Sequence, residues 1–184
     1  MSCSAETLGC FALVSYIPEP LAGFLDRLRL ELVPASRPRA HVTILPPRPY
    51  HGELKAAINR IREEARCLTP FIVELCDVEI FPESNVVYLS IRHGAAQLKA
   101  IYCELNKGGL AFREPFIYHP HITLAQNIDR AEALKLAAIA RERWKAWDGP
   151  RGFPINLLLF VQHVAPDIWA DVSPAPLLSE VAVG

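Results

Sequence analysis

Two short motifs, His41-Val42-Thr43 and His121-Ile122-Thr123, stand eighty residues apart, each inside an apolar run and each followed by an aliphatic residue. With six histidines and four threonines in 184 positions, chance supplies roughly 0.13 His-x-Thr pairs, so two in one chain point to a duplication. The surrounding patterns repeat with them. A strand-like run over 10–17 stops at Pro18-Glu19-Pro20, and a helical stripe of Leu21, Phe24, Leu25, Leu28 and Leu32 ends before Pro34. Residues 40–45 then read as a strand closed by Pro46-Pro47-Arg48-Pro49, which removes ladder donors. A second stripe follows, with Leu54, Ile58, Ile61, Ala65 and Leu68.

The second half runs through the same series. Residues 71–80 and 86–91 read as strands joined by a hairpin loop over 81–85. Leu98, Ile101, Tyr102 and Leu105 mark a helix stopped by Gly108-Gly109, and 116–125 reads as the strand that carries the second motif. Asp129 and Glu132 have capping-box spacing at the start of a helix that runs to about Trp144. Strands over 155–161 and 168–172 finish the sheet, and the tail 173–184 is expected to pack loosely.

The expectation is therefore an α+β chain, 1–184, forming a single bilobal domain. Its lobes, from roughly 1–80 and 81–172 with exchange of strands allowed, are related by a pseudo-twofold axis. Each lobe is a small, mostly antiparallel sheet with helices outside, and an active cleft lies between the sheets. On a strand, residues i and i+2 share a face. His41 and Thr43 would point into the cleft with His121 and Thr123, while Val42 and Ile122 face the helix-packed core. Two proton-transfer groups would then face each other across a phosphate-sized gap, flanked by two neutral hydrogen-bond donors.

Composition narrows the partners. Nineteen Lys and Arg against twenty Asp and Glu leave a net charge of -1, so the chain lacks the bulk positive field of a non-specific duplex binder. A small substrate or a single nucleic-acid terminus fits better. The cysteines Cys3, Cys10, Cys67, Cys76 and Cys103 are odd in number and form no CxxC pair, which suggests reduced thiols rather than a disulfide framework or zinc ribbon. No stretch reaches the ~18 apolar residues of a membrane span. A soluble, cytoplasmic monomer without a membrane or a cofactor is the expectation.

The runs A-H-V-T-I-L and P-H-I-T-L-A, their spacing and the duplicated topology resemble the 2H phosphoesterase superfamily. Within it they are most similar to the 2'-5' RNA ligase-like, or RNA 2',3'-cyclic phosphodiesterase, group. The resemblance implies a metal-independent phosphodiesterase acting on nucleotides or RNA ends, reversible as a 2'-5' ligation. It implies His41 and His121 as the catalytic pair and Thr43 and Thr123 as phosphate-binding residues. It assigns His41 as general acid and His121 as general base, although near-symmetry of the motifs leaves the two roles exchangeable. Many members of the ligase-like group carry a basic residue where this chain has Gln126.

Two other readings use the same residues. A nucleotide-binding module without turnover would grip phosphate with the same four side chains. A zinc hydrolase would recruit His119 beside His41 and His121, though no carboxylate or cysteine is spaced to complete the set. His51, His93 and His163 read as solvated or structural. Tyr50, Phe112, Phe116 and Tyr118 read as core or rim, with one of them available to stack on a base.

Overall fold

The computed structural model describes residues 9–36, 39–49, 52–165 and 168–178. Eight strands and four helices follow the chain as β1 (Phe11–Tyr16), α1 (Leu21–Leu32), β2 (His41–Arg48), α2 (Leu54–Arg66), β3 (Phe71–Ile80), β4 (Val87–His93), α3 (Ala95–Leu105), β5 (His121–Ala125), α4 (Arg130–Ala146), β6 (Gly152–Ile155), β7 (Leu157–Ala165) and β8 (Ile168–Pro176). They form two four-stranded antiparallel sheets, ordered β2-β1-β7-β8 and β5-β4-β3-β6. The orders match position for position, with β2 in the place of β5 and β1 in the place of β4. The expected α+β duplication is thus present.

The strands are shared differently from a cut at residue 80. β3 belongs to the second sheet, while β7 and β8 return from the C-terminal end to complete the first. Each motif-bearing strand-helix-strand unit is closed by a strand from outside its own half. The exchange begins inside an apolar run that reads as one strand over 155–161. The run is divided at Asn156, with β6 before it pairing with β3 and β7 after it pairing with β1.

Three other boundaries differ from the expectation. β2 continues through Pro46 and Pro47 to Arg48, which pairs with Phe11. β2 is the edge strand of its sheet, so prolines there remove no ladder bond that a second neighbour needs. β5 begins only at His121, because Pro115 and Pro120 keep the preceding segment out of the ladder. The tail is packed through Leu177, which is buried and donates its N–H to the Asn156 carbonyl at 2.9 Å; 179–184 lie outside the described residues.

Leu21, Leu25, Leu28 and Leu32 bury one face of α1, and Ala133, Ala137, Ala140 and Trp144 bury one face of α4. The small alanines let α4 lie close on β3. Asp129 caps α4 by accepting the Glu132 N–H at 2.8 Å. Gly94 precedes α3 at φ +85°, where a Cβ would lie 2.8 Å from the Ile72 carbonyl oxygen, so only glycine fits. The outer helices also cross the lobe boundary: α1 rests against β5 and α3 against β2. No helix among the described residues is long and apolar enough to cross a membrane.

Candidate active site

Both motifs lie on edge strands, β2 and β5, and these two strands lie against each other. The burial pattern over the five residues from each histidine is identical: His, Thr half-buried and the three aliphatic positions buried. Val42 and Ile122 sit in the helix-side core with no more than 1% exposure, as period-two alternation requires. Register carries the pattern outward. Tyr16 pairs with His41 and Val14 with Thr43, while Ser90 pairs with His121 and Tyr88 with Thr123. Directly paired residues share a face, so these side chains form the floor beside the motifs.

Each imidazole is held in the same way. Nδ1 of His41 lies 2.9 Å from the Arg39 carbonyl oxygen, and Nδ1 of His121 lies 2.6 Å from the His119 carbonyl oxygen. A carbonyl only accepts, so in both rings Nδ1 carries the proton and donates it. Each Nε2 is therefore left as a lone-pair base in the neutral ring and as a donor in the cation. Tyr118, four residues after Glu114 and just ahead of β5, ties the two motifs together by donating its hydroxyl to the Thr43 carbonyl at 2.7 Å.

Burial lowers the pKa of both histidines from the ordinary 6.5. For His41 the opposing bond to the Arg39 carbonyl comes next, followed by the repulsion of Arg29. For His121 the bond to the His119 carbonyl opposes desolvation, and His119 and His41 add repulsion. His121 thus senses the charge of His41.

Their surroundings differ. The Tyr16 ring meets His41 edge-on at 6.2 Å, the Arg39 guanidinium lies 3.6 Å over Tyr16, and Asp171 accepts from both the Tyr16 hydroxyl and Arg39. On the other side Phe81 stacks on Tyr88 at 3.9 Å, both rings meet His121 edge-on, and the Tyr88 hydroxyl donates to Glu79 at 2.9 Å. Burial first, and then the carboxylate partner, pushes the Tyr16 and Tyr88 hydroxyls up to about 12. They stay protonated donors at neutral pH.

The remaining sequence candidates are dispersed. His119 turns its ring onto Phe81 and Tyr88 and contributes its carbonyl to His121. Among the described residues no three His, Cys, Asp or Glu side chains converge on a metal-sized space. His163 packs its ring against Trp169, and His93 ends β4. Phe112 lies beneath the Arg48 guanidinium, and Tyr118 stacks on Tyr102. Phe116 is exposed. Tyr50 and His51 lie outside the described residues.

Several residues around the motifs carry no signal of their own in the sequence. Tyr16 reads as one residue within the strand-like run over 10–17, and Tyr88 and Phe81 as hairpin residues. Strand register alone brings them to the histidines. Arg48 is another such residue. It is almost fully buried at the end of β2 and holds the segment ahead of β5 through Asn106 Oδ1 at 2.6 Å, the Leu110 carbonyl at 2.9 Å and the Glu114 carboxylate.

Known proteins share this fold. The profile of the 2'-5' RNA ligase superfamily matches residues 17–165. A relative from Halalkalibacterium halodurans, named "Putative phosphoesterase", is 29% identical over 139 residues, covering 67% of this chain and 77% of its own. The crystal structure of E. coli LigT complexed with 3'-AMP superposes with a TM-score of 0.63 at 16% identity, over 93% of this chain and 99% of that one. Kluyveromyces marxianus Usb1 with uridine monophosphate gives a TM-score of 0.57 at 18% identity, over 93% of this chain and all of that one. With a profile match spanning most of its length and two His-x-Thr strands in equivalent places, the chain belongs to the 2'-5' RNA ligase superfamily, the 2H phosphoesterases.

Proposed function

We propose that this phosphoesterase opens 2',3'-cyclic phosphates, or a related cyclic or 2'-5'-linked phosphodiester, of nucleotides or RNA ends without a metal ion. The observation that carries the reading is the repeated support of the two imidazoles. Both donate Nδ1–H to the carbonyl two residues back, from edge strands that lie together, and both leave Nε2 for chemistry.

One histidine neutral and one protonated make a complete acid-base pair. His121 Nε2 takes a proton from water as its oxygen forms the new bond to phosphorus. His41 Nε2 gives its proton to the ribose oxygen as the old P–O bond breaks. The hydroxyls of Thr43 and Thr123 donate to the non-bridging oxygens, where charge shifts during reaction. After turnover His121 holds the proton that His41 lacks, and exchange with water restores both. With the 5'-hydroxyl of a second end in the place of water, the same pair joins a 2'-5' bond: His121 takes the 5'-hydroxyl proton as the new P–O bond forms, and His41 protonates the departing 3' oxygen of the cyclic phosphate. The raised pKa values of Tyr16 and Tyr88 leave these groups as donors, outside the proton-transfer pair. The likeness to LigT structures complexed with phosphate and 3'-AMP, and to Usb1 with uridine monophosphate, supports a nucleotide phosphate as ligand.

The test is a panel of 2',3'-cyclic nucleotides, RNA with a cyclic end and 2'-5' dinucleotides, each incubated with and without EDTA. Turnover of at least one, unchanged by EDTA, is expected. Activity that is lost on chelation and restored by zinc would replace the two-histidine mechanism with a metal one. Binding with no turnover would leave a phosphate-gripping module.

A further inference from the structure

The carbonyl that holds His41 is itself held in an unusual conformation. Arg39 has φ +80°, in the left-handed region that side-chain-bearing residues rarely enter. Such strain persists only where the surroundings over-determine it. Here the backbone amides are held by one carboxylate, while the Arg39 side chain is held separately by Asp171 and over the Tyr16 ring. Asp26, in the middle of α1, accepts the Arg39 N–H on Oδ2 at 2.8 Å and the Ala40 N–H on Oδ1 at 2.7 Å. These are charge-assisted bonds to consecutive amides, and they fix the peptide planes on either side of the Arg39 Cα, the second of which carries the Arg39 carbonyl.

We infer that Asp26 is the positioning residue for His41, setting the left-handed turn at Arg39 so that its carbonyl takes the His41 Nδ1 proton and Nε2 faces the substrate phosphate. The inference rests on the proposed acid-base pair and adds to it a residue remote from the reacting atoms. Asp26 has a second effect through its charge. It sits 3.6 Å from Arg29, whose Nε and Nη1 are buried without a hydrogen-bond partner among the described residues. Asp26 offsets an arginine that would otherwise repel a proton on His41. The groups facing His41 are Asp26 and Arg29 from α1, Arg39 from the preceding turn, Tyr16 from β1 and His121 from β5. Asp171 from β8 is linked through Tyr16 and Arg39.

The experiment records the ¹⁵N signals of the histidine rings in wild type, Asp26→Ala and Asp26→Asn, together with turnover of a 2',3'-cyclic nucleotide across pH. In wild type, both His41 and His121 are expected as neutral Nδ1–H tautomers above their pKa values. In Asp26→Ala the His41 signal should move to a mixture of tautomers while that of His121 stays fixed, which also reports that the fold is intact. kcat should fall by ~10- to 100-fold with a smaller change in KM, as expected of a misaimed proton donor. The limb of the pH profile owned by His41 should move to lower pH, and adding Arg29→Met should move it back without restoring the tautomer. Asp26→Asn, which keeps one carbonyl acceptor, should lie between and serves if the alanine variant does not fold. A pure Nδ1–H tautomer at His41 and undiminished kcat in these variants would overturn the inference. A shifted tautomer in a protein whose wild type turns over no phosphodiester would instead overturn the proposed function and leave the positioning intact.

Discussion

The two halves of the site reach one hydrogen bond by different means. At His41 the accepting carbonyl belongs to a strained left-handed turn clamped by a carboxylate from α1. At His121 the accepting carbonyl belongs to His119, and the next residue is Pro120. Proline fixes its own φ and drives the residue before it into extended backbone, so that half needs no side-chain clamp. The difference teaches that the imidazole geometry is the shared requirement, while its scaffolding is free to diverge. The same contrast runs outward, with Arg39 and Asp171 beside His41 and a stacked aromatic pair beside His121.

The halves are joined by Arg48, and its loss should have the largest effect on the fold. Arg48→Met removes the donor to the half-buried Glu114 carboxylate and to the Leu110 carbonyl, and leaves Asn106 Oδ1 with the Phe112 N–H alone. Breaking a fully buried pair on one side costs about 3–5 kcal/mol, an upper bound here because the half-buried Glu114 carboxylate keeps some access to water. Urea denaturation should register that loss. A midpoint unchanged from wild type would mean that β2 and the segment ahead of β5 are tied by packing alone.

On catalysis the comparison sharpens with the histidines themselves. His41→Ala and His121→Ala should each lower kcat by at least ~10²-fold, with KM changing less. The double variant should be little worse than the poorer single one, because the paired path is already lost. Steady-state kinetics on a 2',3'-cyclic nucleotide measures this, and full additivity would show that the two rings act in separate steps.

Thr43→Ala and Thr123→Ala should be milder, each removing one neutral donor worth on the order of tenfold or less. Similar losses in the two variants would extend the duplication to the phosphate contacts. A loss confined to one would show that the phosphate leans on a single half.

The smallest effect is on stability against pH, and its sign is set by the lowered histidine pKa values. Between the unfolded value near 6.5 and the lower folded value, the unfolded chain binds more protons than the folded one. Stability should therefore be complete above pH ~6.5, fall as the pH drops through that window and level off below the folded pKa. His41→Asn and His121→Asn should each flatten part of that slope, by a few degrees of Tm at most. Phosphate should act in the opposite sense, stabilising most at acidic pH, where a protonated ring can meet the anion.

How much of this was legible in the residues follows from what each signal depends on. Period-two alternation makes Val42 and Ile122 core and puts His41, Thr43, His121 and Thr123 on one type of face, and it needs no knowledge of the partner strand. Tyr16 and Tyr88 need that knowledge, since only the register sets them opposite the motifs. Asp26 is invisible for the same reason: on α1 it is a polar residue off the leucine stripe, and its role exists only once α1 meets the turn at 39–40. The prolines 46 and 47 mislead because the rule that ends a strand at proline assumes neighbours on both sides, and β2 has one. The run over 155–161 misleads because apolar patterning does not record a change of sheet at Asn156.

The most direct test of the paired histidines is the pH dependence of kcat/KM for a 2',3'-cyclic nucleotide in wild type, His41→Ala and His121→Ala. Wild type should trace a bell with its maximum on the acidic side of the ordinary histidine value of ~6.5, because burial lowers both rings. The residual activity of His41→Ala should lose the alkaline limb and that of His121→Ala the acid limb. Exchange of the two limbs would reverse the acid and base roles while keeping the pair. A bell that survives intact in either variant, or near-wild-type turnover in one of them, would contradict the two-histidine mechanism.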